Sequence, residues 1–101
     1  MSFPDLINQL PDYVGRFTAK RLDAEGCTVF FATYPAETRV ETHTHTTENV
    51  GLITAGELIL TSNGETVRYG PGDWYHLPAN QPHSARFEVE TSEIEFWFAT
   101  D

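Results

Sequence analysis

Turn-forming residues punctuate this chain about every 8 to 12 residues, a spacing that leaves room between them for short strands and little else. The strongest of these signals is Asn63-Gly64, set between Leu58-Ile59-Leu60 and Val67-Arg68-Tyr69. A two-residue type I′ hairpin needs positive φ at both central positions, which Asn and Gly tolerate. Gly70-Pro71-Gly72-Asp73 and Pro78-Ala79-Asn80-Gln81-Pro82 mark two further turns, and Gly26 and Pro35 interrupt the first half. Between them the residues alternate with a period of two and are rich in Thr, Val, Ile and Phe. This pattern predicts strands over Phe17–Leu22, Cys27–Thr33, Thr38–Thr44, Asn49–Thr54, Glu57–Ser62, Glu65–Tyr69, Trp74–Leu77, Ser84–Val89 and Glu93–Ala99. About nine strands of this kind argue for an all-β sandwich or barrel that closes to hide its edges. Only Pro4 to Pro11 shows helical spacing, and it predicts a short N-terminal helix of about two turns.

The 101 residues are enough for one core and not for two: at this size folding removes roughly 65% of the accessible area of the unfolded chain. A single domain over 1–101 is expected, with 1–16 as an N-terminal helix and arm. Six basic residues against fifteen acidic ones give a net charge of −9. Nucleic acids and anionic membrane surfaces draw affinity from clustered Lys and Arg, so neither is an expected partner. No apolar run approaches the roughly 20 residues of a spanning helix, and Met1-Ser2-Phe3-Pro4-Asp5 lacks the features of a signal peptide, so a cytoplasmic location is expected. The one cysteine, Cys27, lies among Thr28, Val29, Phe30 and Phe31 and reads as an apolar filler. Glu93 and Glu95 flank Ile94 on an alternating strand and read as a solvated face, while Ile53, Phe31, Trp74, Phe96 and Phe98 are candidates for a pocket wall.

The chemistry concentrates in the histidines. In a strand, residues two apart share a face, so His43-Thr44-His45 presents two imidazoles to one divalent ion, and His83, after the Pro78–Pro82 turn, can be brought opposite them. With a regular connection after His45, the same parity puts Asn49, Gly51 and Ile53 on the histidine face and sends Glu48 to the other. Gly51 marks either a bulge or space left for a ligand. Parity leaves His76, in Trp74-Tyr75-His76-Leu77, unassigned.

Here the sequence resembles the cupins, in the small single-domain form. His43-Thr44-His45-Thr46-Thr47-Glu48-Asn49-Val50-Gly51-Leu52-Ile53-Thr54-Ala55-Gly56 matches the two histidines and the closing glycine of the first cupin motif, without its opening glycine. Gly70-Pro71-Gly72-Asp73 followed by Leu77-Pro78-Ala79-Asn80-Gln81-Pro82-His83 matches the second. The resemblance implies a double-stranded β-helix, or jelly-roll barrel, over 38–98. It also implies a divalent transition metal (Fe, Ni, Zn, Mn, Cu or Co) on His43, His45 and His83. The family's ligand glutamate falls on Asn49, a weaker and shorter ligand that otherwise would hydrogen-bond water on the metal.

A small-molecule ligand or substrate follows, with dioxygenase-type chemistry the first reading. A non-enzymatic binding or sensor module, and a metal-free isomerase-like barrel using His83 or His43 as base, are the alternatives. The resemblance also implies a homodimer. Trp97, on the opposite face of the last strand from Ile94, Phe96 and Phe98, would be covered by the partner.

Overall fold

The structure, a computed structural model, describes residues 3–15 and 17–99. Of the N-terminal arm expected over 1–16, Met1, Ser2 and Arg16 lie outside the described residues. The helix, α1 (Asp5–Asn8), is one turn and not two. It buries none of its residues, Leu6 is 79% exposed, and with no packed face there is nothing to extend so short a helix.

All remaining elements are strands: β1 (Asp12–Tyr13), β2 (Thr18–Ala24), β3 (Cys27–Tyr34), β4 (Thr38–His43), β5 (Glu48–Ala55), β6 (Leu58–Ser62), β7 (Glu65–Tyr69), β8 (Trp74–Leu77), β9 (His83–Phe87) and β10 (Thr91–Phe98). The nine predicted strands are all present within a few residues of their expected ends; the tenth, β1, is too short to show a period. Every pairing is antiparallel. Six strands form one sheet in the order β1-β2-β3-β10-β5-β8, and four form the other in the order β4-β9-β6-β7.

The hairpin at Asn63-Gly64 has φ of 54° and 76°, as a type I′ turn requires. Gly56, the closing glycine of the first motif, turns the chain from β5 into β6 with φ of 82°, and an added Cβ there would run into the Glu90 carbonyl and Thr91. Thr91 is fully buried and secures the same corner: its Oγ1 takes the Glu57 N–H at 3.1 Å and donates toward the carbonyls of Glu57 and Val89.

Register separates the two faces of the larger sheet. Phe30, Glu95, Gly51 and Tyr75 are cross-strand neighbours in one row, and Leu22, Val29, Phe96, Val50 and His76 in the next. The first row faces the core, where Ala19, Phe30, Ala32, Tyr34, Ile53, Leu58, Leu60, Tyr75, Leu77 and Phe87 are buried together, with Trp97 packed against them. The second faces out, as does the row Phe31, Ile94, Leu52 and Trp74. Residues of β10 therefore point opposite to the direction their hydrophobicity suggests. Glu93, Glu95 and Trp97 are inside, and Ile94, Phe96 and Phe98 are outside.

Candidate metal centre

The three histidines predicted from the sequence come together at one end of the barrel. His43 and His83 face each other across the antiparallel pair β4 and β9, with ring centroids 4.3 Å apart. Plain alternation would not bring His43 there, because Val40 already points inward. A bulge between Val40 and His43 supplies the extra residue that turns His43 back to the interior. His45 sits beyond the end of β4, in the loop leading to β5, so a loop and not a strand face places it beside His43. That loop is tied to the turn before His83 by the Asn80 N–H, which donates to the His45 carbonyl at 2.7 Å.

The donor atoms of the three rings lie within 4.8 Å of one another. His43 Nε2 and His45 Nε2 are 3.1 Å apart, close to the roughly 3.0 Å expected of two ligands at right angles around an ion with metal–nitrogen bonds of about 2.1 Å. The backbone sets the tautomers. His43 Nδ1 donates to the Glu41 carbonyl at 2.7 Å and His83 Nδ1 to the Gln81 carbonyl at 3.0 Å. A carbonyl only accepts, so the proton of each neutral ring is at Nδ1 and a lone pair remains at Nε2, as a metal requires. Burial lowers the pKa of His83; the Gln81 carbonyl opposes this and neighbouring His43 adds to it. His83 is thus biased toward the neutral, ligand form.

Glu48 points away from this cluster, because alternation along β5 turns Asn49, Gly51 and Ile53 inward and Glu48 outward. Its carboxylate takes the Ala79 N–H and a hydrogen bond from His76 Nε2 at 3.0 Å, and these hold its pKa below the usual range. Glu48 and His76 together form a strut on the outside of the turn that delivers His83. Asn49 is buried on the inward face, across from Trp97, with its Oδ1 receiving the Thr47 hydroxyl at 2.5 Å.

Below the histidines a cavity of about 820 Å³ runs into the barrel. Its wall departs from the sequence expectation. Phe31, Trp74, Phe96 and Phe98 are on the outer face, where Trp74 is 57% exposed, and Ile53 is plain core. The wall is built instead by Tyr34, Tyr75, Leu58, Leu60, Leu77, Phe87 and Trp97. Trp97 needs no partner subunit to cover it. Its ring lies 4.5 Å from that of His45 and 5.0 Å from that of Phe30, and its Nε1 donates to Glu95 at 3.0 Å. Gly51 is neither a bulge nor ligand space: the ring of Tyr75 fills the volume where its side chain would be.

The expectation that Glu93 and Glu95 form a solvated face is overturned. They are 2% and 5% exposed and line the cavity. Tyr34 donates to Glu95 Oε2 at 2.6 Å and Tyr75 to Glu93 Oε1 at 2.5 Å. Alternation showed that the two share a face but not which face. The signal was the tyrosine content of β3 and β8, whose hydroxyls can satisfy buried carboxylates.

A cupin-domain family model matches residues 30–98. Among solved structures, an RmlC-like cupin from Shewanella frigidimarina superposes with a TM-score of 0.81 at 17% identity, over 98% of this chain and 89% of that one. KdgF from a Halomonas species gives 0.76 at 16% identity, over 93% and 91%. The DMSP lyase DddQ from Ruegeria pomeroyi gives 0.74 at 25% identity, over 83% of this chain and 47% of that one. No curated protein matches.

Proposed function

The chain belongs to the cupin-domain family, and from that premise we propose that it is a metal-dependent cupin that binds and transforms a small organic molecule in the cavity beneath His43, His45 and His83. One observation carries the reading: three imidazoles converge with donor atoms within 4.8 Å of one another, and backbone carbonyls hold His43 and His83 in the tautomer that puts a lone pair at Nε2. Such a donor set fits a divalent transition ion, and neutral ligands leave its charge uncompensated and positions open. The ion would supply Lewis acidity or, if redox-active, oxygen-using chemistry of the dioxygenase type. The protein's own part is to position. His43, His45 and His83 would hold the ion, and Trp97 packs against His45 to fix its plane. Leu58, Leu60, Leu77 and Phe87 exclude water from the ligand's apolar portion. Asn49 supports this arrangement as a weak ligand or as a hydrogen-bond partner of water on the ion.

The test is elemental analysis of protein purified without a histidine tag. About one transition-metal ion per chain, lost in His45→Ala with the fold retained, is the expected result. Background metal in both proteins overturns the proposal.

The same reading includes a homodimer, seated on the outer face of the larger sheet and not on Trp97. Leu22, Phe96 and Val50 in one row and Phe31, Ile94, Leu52 and Trp74 in the next make this face largely apolar, with Lys20 and His76 at the ends of the rows, and Leu22 and Trp74 are 43% and 57% exposed. A sedimentation mass of one chain at micromolar concentration refutes it.

A further inference from the structure

Glu93 and Glu95 stand two residues apart on the inner face of β10, and among the described residues no cation pairs with either. Two buried carboxylates so close cannot both ionise without a counter-charge, because each is desolvated and each repels the other. The hydrogen bonds distinguish the two carboxyl groups. Both oxygens of Glu95 are acceptors, Oε1 from Trp97 Nε1 and Oε2 from the Tyr34 hydroxyl, as an anion requires. Glu93 accepts only at Oε1, from Tyr75, while no donor among the described residues reaches its buried Oε2. A proton on that oxygen meets no acceptor among the described residues either, so it is available to a bound molecule. Burial first, and then the neighbouring Glu95, raise the pKa of Glu93 well above the usual range; the Tyr75 hydroxyl opposes them. Facing Glu93 are Glu95 on its own strand, Tyr75 from β8, Tyr34 from β3 and the apolar Ile53 and Ala32 opposite it on β5 and β3.

Gly51 shows that this is a built arrangement. Only a residue without a side chain leaves the ring of Tyr75 in the place from which its hydroxyl reaches Glu93. Glu93, Glu95 and the two tyrosines thus form a buried polar cluster on the β10 side of a cavity whose lining elsewhere includes aliphatic and aromatic side chains and, on β4, Arg39 and Glu41.

We propose that Glu93, kept as a carboxylic acid beside the Glu95 carboxylate, is a proton-donating subsite that takes a neutral oxygen, hydroxyl or carbonyl, of the molecule bound beneath the histidines. The subsite rests on the small-molecule reading of the cavity. It selects against a second carboxylate at that end of the ligand, which the Glu95 charge repels. Ligands of this class are small molecules with an anionic oxygen for the ion and an uncharged oxygen function at the other end.

Two measurements test it. Infrared spectra of chelator-treated protein at neutral pH should show the C=O stretch of a buried carboxylic acid, absent from Glu93→Gln. In metal-loaded protein, straight-chain ω-hydroxycarboxylates, the corresponding alkanoates and the corresponding dicarboxylates are titrated by calorimetry. At the chain length that reaches Glu93, the hydroxyl should improve affinity about fivefold, the size of one buried hydrogen bond. Glu93→Leu should abolish that advantage and Glu93→Gln largely keep it, while the dicarboxylates bind no tighter than the alkanoates. A wild-type protein with no carboxylic band, or a hydroxyl advantage untouched by Glu93→Leu, overturns the proposal. Protein that takes up no metal overturns the reading of the histidines alone. The subsite is then scored by the infrared band and by alkanediols against alkanols in the same variants.

Discussion

Gly51→Ala is the most informative small change in this barrel. In an ordinary strand it would help, since alanine restricts the unfolded chain and is worth about 0.4–1 kcal/mol where the backbone conformation is compatible, and φ at Gly51 is not in the positive range. Here the new methyl group would fall within 3.0 Å of the Tyr75 ring, against Cε2, Cζ and Oη. Carbon atoms settle at about 3.5–4.0 Å, so the ring must retreat by more than about an ångström. Tyr75 is 8% exposed and packed against Tyr69, with ring centroids 5.9 Å apart, so it has little room to move. Overpacking of this kind costs about 1–3 kcal/mol. Displacing the hydroxyl from Glu93 removes a buried hydrogen bond worth about 1–2 kcal/mol more. The strand benefit is smaller than either, so the net effect is a loss of about 2–4 kcal/mol, or a fall in Tm of about 10–25 °C for a domain of this size. Urea denaturation of the single variants and of the double variant with Tyr75→Ala gives the coupling. Once the ring is gone, Gly51→Ala should be neutral or slightly stabilising, leaving an interaction energy above about 2 kcal/mol. Costs that simply add, or a Gly51→Ala protein within about 0.5 kcal/mol of wild type, would refute the packing argument and with it the role assigned to Gly51.

Four further outcomes follow. Glu48→Gln should leave metal stoichiometry unchanged, because its carboxylate faces the turn and not the histidines; elemental analysis checks this. The stability contributed by Glu93, whose folded pKa lies above its ordinary value of 4.5, is fully present below that value and is lost as pH rises through the folded pKa. Urea midpoints of wild type should therefore fall, as pH rises above about 4.5, more steeply than those of Glu93→Gln. His83 works in the opposite direction: its folded pKa is lowered from 6.5, so the unfolded state binds more protons below that value and stability drops as pH falls through it. In metal-free protein that acid-side drop should shrink in His83→Gln. Chelation should lower the Tm of metal-loaded wild type and leave that of His45→Ala unmoved, by mass action on the folded state.

How much of this was legible beforehand depends on what kind of signal each part leaves. Turns are local chemistry, so Asn63-Gly64, Gly70-Pro71-Gly72-Asp73 and the Pro78–Pro82 segment placed the strands between them, and β7 and β8 end where they were expected to end. The histidines were legible because two recognisable motifs carried them. The bulge that turns His43 inward left no trace, since one extra residue in a strand of six changes no composition. Parity also has a built-in ambiguity: it sorts the residues of β10 into two sets without saying which set faces the core. Hydrophobicity pointed to Ile94, Phe96 and Phe98, and it was wrong because the fold supplies hydroxyl and indole donors on the inner face and leaves an apolar sheet on the outer one.

That inversion bears on function. Replacing a buried carboxylate pair and its tyrosines with packed aliphatic residues is commonly neutral or stabilising, so stability alone gives no reason for Glu93 and Glu95 to occupy the interior of a chain this short. The same strand carries Trp97 to the histidines at one end and Glu93 into the cavity wall further along, with Glu95 hydrogen-bonded to the indole between them. β10 thereby connects the histidine cluster with the part of the wall that carries the buried carboxyl pair. Under the proposals above, a ligand lying along it would meet the ion held by the histidines at one end and the Glu93 acid further along. The outer face of β10 has no such polar groups, and its apolar rows are suited to burial against another sheet and not to chemistry.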